Sequence, residues 1–158
     1  MINNKGVTLI EAVVVLGLIA IVVSALVQLN LAFSRVISSG ALTVRADALA
    51  VETMEAVRAL RDKNWNNLSN LIPETRYYLS FSESAKDWTI VNSDPGKIEG
   101  IFSRSFSVYS VSRDVSTGKI VASGGVSGDS TLKIEAIVSW SDRGRDKNIK
   151  LTTYLSNF

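Results

Sequence analysis

Residues 5–34 read KGVTLIEAVVVLGLIAIVVSALVQLNLAFS, and this stretch decides the fold. One carboxylate, Glu11, stands near its start, and the 23 residues of Ala12–Ser34 carry no charge. At about 1.5 Å per residue, a helix of that length measures roughly 35 Å and crosses a hydrocarbon core of about 30 Å. Val, Ile, Leu and Ala would lie on every side of it, which suits lipid or a helix bundle. The stretch therefore predicts a transmembrane helix.

Two simpler interpretations compete with a functional membrane helix. A cleaved secretory signal has an apolar core of about 7–15 residues that ends in small residues. Here the apolar run is longer, and the larger residues of Val27–Leu31 stand where small ones would be expected. A plain single-pass anchor explains the apolar run but leaves the residues before it without a purpose.

Composition excludes several kinds of chemistry. The chain of 158 residues has neither histidine nor cysteine. It therefore has no Ser-His-Asp triad, no cysteine nucleophile, no disulfide and no ordinary zinc or copper site. Its 17 basic and 15 acidic residues give a formal net charge of +2, which is no electrostatic reason to expect a nucleic-acid partner. We expect a protein that is not an enzyme and that has no cofactor and no metal site.

The residues before the apolar run resemble the processing motif of type IV pilin-like proteins, which include major pilins, minor pilins and pseudopilins. The resemblance rests on Gly6, the Thr8–Glu11 string and the apolar run that follows at once. It implies that residues 1–6 are a leader removed by a prepilin peptidase. It also implies that Val7 becomes a methylated N-terminus and that Glu11, then the fifth residue, serves in filament assembly.

Two features depart from the usual pattern of that family. Phe is more common than Val at the position of Val7, and many pilins carry a helix-kinking proline in the apolar segment, where this chain has none. Gly17 and Gly40 are weaker substitutes for that proline. Gly40 follows two serines, so we expect a bend or a local break of the helix there.

Glu11 also has a physical interpretation of its own. An acidic side chain costs about 2.5–3.5 kcal/mol at the centre of a membrane helix and less near its end, so it needs a partner. The freed amino group of Val7 in a neighbouring subunit would be such a partner. In a plain anchor, Glu11 would instead lie at headgroup level, and Gly6 would be an ordinary loop or cap residue.

The helical pattern continues beyond the apolar segment and then changes. Apolar positions recur at steps of three and four, as on one face of a helix that packs on a sheet: Leu42, Ala46, Leu49, Thr53, Val57 and Leu60. Asn64–Asn67 is a plausible stop, which makes the helix roughly 87 Å long. We therefore expect a leader at 1–6, a helix at 7–64 and a head at 65–158. Within the helix, residues 7–34 would be transmembrane or filament core, and 35–64 amphipathic.

The head alternates with a period of two, which predicts strands. The clearest strand has five apolar residues on one face: Leu132, Ile134, Ala136, Val138 and Trp140. A change of phase suggests a bulge near Val108–Tyr109, and Ser141–Asn148 reads as a turn-rich loop. We expect an antiparallel sheet of four or five strands in an α+β fold, with the second half of the helix packed on it.

Three features of the head have weak functional interpretations. Asp142, Asp146 and Asn148 could gather around Ca²⁺, but a solvated hairpin loop is the simpler account. The bases between them could touch DNA, although the neighbouring aspartates offset most of their charge. The three tryptophans fit a core better than a ligand platform: Trp65, Trp88 and Trp140.

Together these features favour a structural subunit of a type IV pilus-like or type II secretion-like filament, and among such subunits a minor pilin or pseudopilin. The resemblance implies as partners a prepilin peptidase, other pilin or pseudopilin subunits, inner-membrane assembly machinery and, before assembly, the lipid bilayer. It places the chain in the inner membrane with its head outside the cytoplasm, and later in a filament. The alternative is a membrane-anchored binding module whose β head recognises a ligand.

Overall fold

A computed structural model of the chain describes residues 5–121 and 124–157. A long helix, α1, is followed by a short helix, α2, and, in the described residues, by six strands. The elements are α1 (Lys5–Lys63), α2 (Asn66–Ser69), β1 (Arg76–Ser82), β2 (Asp87–Val91), β3 (Ser103–Arg113), β4 (Ile120–Val121), β5 (Val126–Asp142) and β6 (Arg145–Ser156). The predicted α+β fold, a long N-terminal helix followed by an antiparallel sheet, is confirmed.

The contacts within the chain divide it into two compact units, Met1–Leu42 and Thr43–Phe158. In the first unit, α1 stays helical through Gly40, so the expectation of a local break there is wrong. A glycine costs a helix only about 1 kcal/mol relative to alanine. Just before Gly40, the hydroxyl of Ser38 donates to the carbonyl of Ser34 at 3.0 Å, so this polar side chain is satisfied within the helix.

In the second unit, α1 buries one face against the sheet. The predicted apolar stripe is confirmed from Ala46 to Leu60, since all five of its members in that range are buried. Ala50, Met54 and Ala56 widen the buried face. The hydroxyl of Thr53 donates to the carbonyl of Leu49 at 2.7 Å, which is how a polar side chain is tolerated in this apolar layer.

The sheet is antiparallel, with the strand order β2-β1-β3-β5-β6, and β4 pairs with the end of β3. Its inner face supplies the other half of the core. The predicted strand face is confirmed, because its five members are all buried on β5: Leu132, Ile134, Ala136, Val138 and Trp140. Trp65 and Trp88 pack against the edge of this core, as expected of structural tryptophans.

The irregularity in β3 lies elsewhere than predicted. Pairing of β3 with β5 is regular as far as Ser110 opposite Leu132 and then shifts, so that Val111 lies opposite Gly128. The shift places residues 129–131 of β5 opposite one step of β3. The predicted bulge near Val108–Tyr109 is therefore wrong in position. The extra residues belong to β5, and they lie opposite the step from Ser110 to Val111 in β3.

The expected hairpin at Ser141–Asn148 is present, but its turn is much shorter than the expected loop. The register of β5 with β6 continues to the pair Asp142 and Arg145, which leaves a turn of two residues, Arg143 and Gly144. Both have positive φ, 53° and 77°, as a type I′ hairpin turn requires. That turn matches the twist of the two strands, so they remain paired to the tip.

Three ion pairs join α1 to the head within the second unit, two of them to strands of the sheet and one to the connection between β2 and β3. Arg45 pairs with Glu99, Lys63 pairs with Asp87, and Arg104 donates to Glu52 at 2.9 Å. The contact with Arg45 lowers the pKa of the Glu99 carboxyl. Hydrogen bonding from Lys63 likewise lowers the pKa of Asp87. The helix is thus attached by its buried stripe and by charges along its flanks.

Candidate assembly and processing site

The predicted processing site lies in the first turns of α1. The helix begins at Lys5, so its backbone includes Gly6 and Val7. The side chain of Val7 and the leader residues Met1–Asn4 lie outside the described residues. The structure therefore gives the backbone conformation at the Gly6–Val7 bond, and the cut itself stays a prediction.

Glu11 lies one turn further along α1, and its side chain is exposed. It is the first charged residue of the apolar segment, and the next along the chain is Arg35. On an exposed helix surface, a second molecule can approach this carboxylate directly. The neighbouring side chains of this segment are exposed in the same way, so the role of Glu11 in assembly stays a prediction.

The apolar surface around Glu11 is open along its whole length. Every large apolar side chain from Leu9 to Phe33 is between 47% and 68% exposed. Monomeric soluble proteins rarely expose contiguous apolar patches larger than a few hundred Å². This part of α1 therefore needs a cover from outside the chain, either lipid or other helices.

One side of this surface is a shallow groove of mostly small residues. It is lined by Ala20, Ile21, Ser24, Ala25, Gln28, Leu29 and Ala32. The hydroxyl of Ser24 donates to the carbonyl of Ala20 at 2.7 Å, so it is satisfied within the helix. Small residues allow helix backbones to approach closely in a membrane, and an amide such as that of Gln28 can donate across a helix interface.

The candidate calcium residues at the β5–β6 turn are not arranged around a shared space. The carboxylate of Asp142 accepts a bond from the ammonium of Lys147 at 2.7 Å and is nearly buried. Asp146 and Asn148 are exposed on β6. In the described residues, no group of three or more acidic side chains is placed to hold a metal ion. The turn is a tight hairpin held by an ion pair.

Two charged residues of the head were missed by sequence reasoning. Glu135, on the outer face of β5, accepts bonds from Lys133 at 2.7 Å and from Lys150 at 2.9 Å. These bonds lower the pKa of the Glu135 carboxyl. Arg104 lies between Glu52 and Trp88, with its guanidinium carbon 4.8 Å from the ring centroid. Both contacts depend on strand register, which the sequence does not show.

A third polar feature closes the loop between β3 and β4. The carboxylate of Asp114 accepts bonds from the hydroxyl of Ser116 at 2.6 Å and from the backbone N–H of Thr117 at 2.7 Å. The hydroxyl of Thr117 also donates to it. Together these bonds lower the pKa of Asp114 to about 2. All of these bonds lie within residues 114–117, so the carboxylate of Asp114 stabilises its own loop.

Comparison with known proteins points to the N-terminus. The family model of the prokaryotic N-terminal methylation motif matches residues 1–27. No curated protein and no solved structure matches the chain. The match supports a type IV pilin-like prepilin, and it points to a structural subunit rather than an enzyme. By length and composition α1 can also cross a membrane, which is consistent with a single-pass anchored protein.

Proposed function

We propose that this chain is a structural subunit, a minor pilin or pseudopilin, of a type IV pilus-like or type II secretion-like filament. The observation that carries the proposal is the methylation motif of residues 1–27 joined to a helix whose apolar side chains are exposed from Leu9 to Phe33. Such a helix can be held by lipid in one state and by other subunits in another. Its folded β head then provides the exterior of the assembly.

In this proposal a prepilin peptidase cuts between Gly6 and Val7, and the new N-terminal residue is methylated. The cut removes Lys5, the only charged side chain of the leader, and creates an amino group four residues before Glu11. The chain then lies in the inner membrane with its head outside the cytoplasm. Inner-membrane assembly machinery moves it from the bilayer into the filament.

Glu11 supplies the polar part of the assembly step. Transfer of an apolar helix from lipid to a bundle changes its burial of apolar surface little, so packing shape and polar contacts decide the association. A carboxylate in an apolar setting is stabilised by a cation within about 4–6 Å. The amino group of Val7 in a neighbouring subunit is such a cation, and this pairing would set the register between subunits.

Replacement of Glu11 by alanine in the full chain tests this role. We expect Glu11→Ala to insert into the membrane as the wild type does but to be lost from the filaments sheared off the cells, by about tenfold or more if the pairing is worth roughly 1.4 kcal/mol. Glu55→Ala is the matched control. Glu55 is also an exposed glutamate of α1, and its pairing with Arg58 is a surface contact of little energy.

Sequencing the N-terminus of the recovered chain gives a second readout. We expect Val7 as the first residue, carrying a methyl group. Normal incorporation of Glu11→Ala would overturn the pairing. Recovery of the wild type only as an uncut membrane protein, from cells with an active prepilin peptidase, would overturn the filament assignment and favour a membrane-anchored binding module.

A further inference from the structure

The sheet of the head has two open edges. In the strand order β2-β1-β3-β5-β6, the outermost strands are β2 and β6, and among the described residues neither pairs with a further strand on its far side. An open edge presents backbone N–H and C=O groups that can pair with a strand of another molecule. The two edges are therefore candidate surfaces for contact between heads.

The hairpin turn determines which backbone groups of β6 face its open side. Asp142 and Arg145 flank a two-residue turn, and residues in these positions exchange hydrogen bonds with each other. Bonding alternates along an antiparallel pair, so every second residue of β6 from Arg145 onward bonds to β5. The residues between them direct their N–H and C=O groups to the open side: Asp146, Asn148, Lys150, Thr152 and Tyr154.

The lysines of β6 do not protect this open edge. Lysine on an edge strand commonly discourages pairing with other strands. Here the ammonium of Lys147 donates to the carboxylate of Asp142 at 2.7 Å, and that of Lys150 donates to Glu135 at 2.9 Å. Both acceptors belong to β5, so both ammonium groups are directed toward the neighbouring strand of the same chain. Another strand can therefore approach the open side of β6.

β2 combines an open edge with an apolar surface. The backbone N–H of Trp88 donates to the carboxylate of Asp87, so Trp88 faces away from β1, and by alternation so does Ile90. The side chains of Trp88 and Ile90 lie on the inner face of the sheet, half-buried against the core. A cleft of about 430 Å³, lined also by Leu60 and Leu71, lies beside them. An added strand could therefore place side chains in this cleft.

The directions of the two edge strands fit each other. Each neighbouring pair along the order from β2 to β6 is antiparallel, so β2 and β6, four steps apart, run in the same direction. A second copy in the same orientation therefore brings its β6 parallel to β2. In the register that sets Ile90 opposite Leu151, the open groups of Ile90 meet those of Lys150 and Thr152, as parallel pairing requires.

The same register joins apolar side chains. Ile149 and Leu151 lie on the inner face of β6, and both are half-buried. Opposite Trp88 and Ile90, they bring four half-buried apolar side chains together on one face. A slip of one residue would move the side chains of one strand to the other face, so the apolar residues specify the register.

Charge favours contact between unlike edges. β6 carries three basic residues and one acidic residue, whereas β2 carries one acidic residue and no basic one. Two β6 strands would bring like charges together, which destabilises strand pairing. They would also close as a two-fold dimer, whereas contact of β2 with β6 leaves an open edge at each end and can repeat.

We propose that β2 of one copy pairs in parallel with β6 of a second copy, so that the sheets of neighbouring heads become continuous. This inference rests on the proposed function, which supplies the common orientation of the copies. A stable interface uses about 20–30 residues on each side, far more than the five residues of β2. The edge contact therefore acts together with the other contacts between subunits.

Paired cysteines test the contact, because the natural chain contains none. In the proposed register Val91 lies opposite Thr152, so the full-length chain with Val91→Cys and Thr152→Cys is overproduced in membranes and mildly oxidised. Within one copy these positions lie on opposite edges, four strand spacings or roughly 19 Å apart, which is too far for a disulfide. Any disulfide therefore joins two copies, and repeated contact gives a ladder of dimers, trimers and longer products.

The matched control is Val91→Cys with Asp146→Cys. Asp146 is exposed on the same face of β6 but lies roughly 20 Å along the strand from Thr152. We expect several-fold more ladder from the pair with Thr152→Cys than from this control. Adding Asn148→Pro should reduce the ladder several-fold, because it removes an N–H of the open edge. A proline is tolerated there, so the Tm of the head, followed by tryptophan fluorescence, should change little.

Recovery of the wild type in sheared filaments is measured in parallel, which separates the inference from the proposed function. If the wild type is recovered but the ladder does not exceed that of the control, or persists in a folded Asn148→Pro chain, the inference is overturned and the proposed function stands. A dimer from Thr152→Cys alone, as abundant as the ladder, would show pairing of two β6 strands and would also overturn the inference. A ladder without recovery in filaments overturns the proposed function alone, and absence of both overturns both.

Discussion

Val51 and Val57 lie six residues apart on α1 and face opposite surroundings, so the same substitution at each measures what burial against the sheet contributes. Val57 is fully buried among the core residues, whereas Val51 is 47% exposed on the helix surface. Replacement of either by alanine removes the same two methyl groups from the same helix. Any difference between the two variants is therefore due to their surroundings.

The expected difference has two parts. Alanine has a higher helix propensity than valine by about 0.5 kcal/mol, and this gain applies at both positions. At Val57 the lost burial is about 0.8 kcal/mol for each of two groups, roughly 1.6 kcal/mol, to which any unfilled cavity adds. Val51→Ala should thus stabilise the head by a few tenths of a kcal/mol. Val57→Ala should destabilise it by about 1–2 kcal/mol.

Tryptophan fluorescence of the full chain, purified as monomers in detergent, follows unfolding of the head without interference from the apolar segment. All three tryptophans lie after residue 43, and Trp140 is buried. At about 4 °C per kcal/mol for a domain of this size, the two variants should differ in Tm by roughly 6–10 °C. Equal shifts, or a larger loss for Val51→Ala, would refute the packing of this helix face on the sheet.

Two further predictions concern charges in the head. The pKa values of Asp114 and Glu135 are both lowered in the folded state, to about 2 for Asp114, so their contribution to stability is present at neutral pH and is lost as pH falls. The Tm of the wild type should stay level down to about pH 5 and then fall between about pH 4.5 and 2. In Asp114→Asn and in Glu135→Gln this fall of Tm with pH should be less steep. A fall as steep as that of the wild type in both variants would contradict the prediction. Arg104→Gln should lower stability by about 1–2 kcal/mol, because it removes both the ion pair with Glu52 and the cation–π contact with Trp88. Arg104→Gln should cost much less stability in a chain that already carries Glu52→Gln, and less in high salt. If the losses of stability from Arg104→Gln and Glu52→Gln simply add in the double variant, the ion pair contributes nothing.

The helix could be predicted from the sequence because its signals are local. The charge-free run of Ala12–Ser34 and the stripe from Ala46 to Leu60 both depend only on spacing along one chain segment. The Gly6–Glu11 motif is equally local, and it is the part that the family comparison detects. Gly40 was misjudged because the propensity of one residue is small beside the helical preference of the turns around it.

The head was predicted less completely because its details depend on pairing between distant strands. The buried alternation on β5 is visible in the sequence, but the shift at Val111 follows from extra residues carried by that partner strand. Similarly, Glu135 meets Lys150 only because Ile137 lies opposite Lys150 in the β5–β6 register. Polar residues over Ser141–Asn148 suggested a long loop. The chain turns instead over two residues with positive φ, Arg143 and Gly144.

The buried stripe of α1 and its exposed apolar segment are stabilised in different ways. The buried stripe is stabilised by the hydrophobic effect, because packing on the sheet removes its apolar surface from water. In the bilayer that gain is already made by lipid, so the exposed segment from Leu9 to Phe33 cannot select a protein partner by apolarity alone. Under the proposed function, selection comes from features that lipid does not match, namely close approach at small residues and a counter-charge for Glu11. A subunit would therefore be chosen by close packing and polar pairing within the membrane rather than by apolarity.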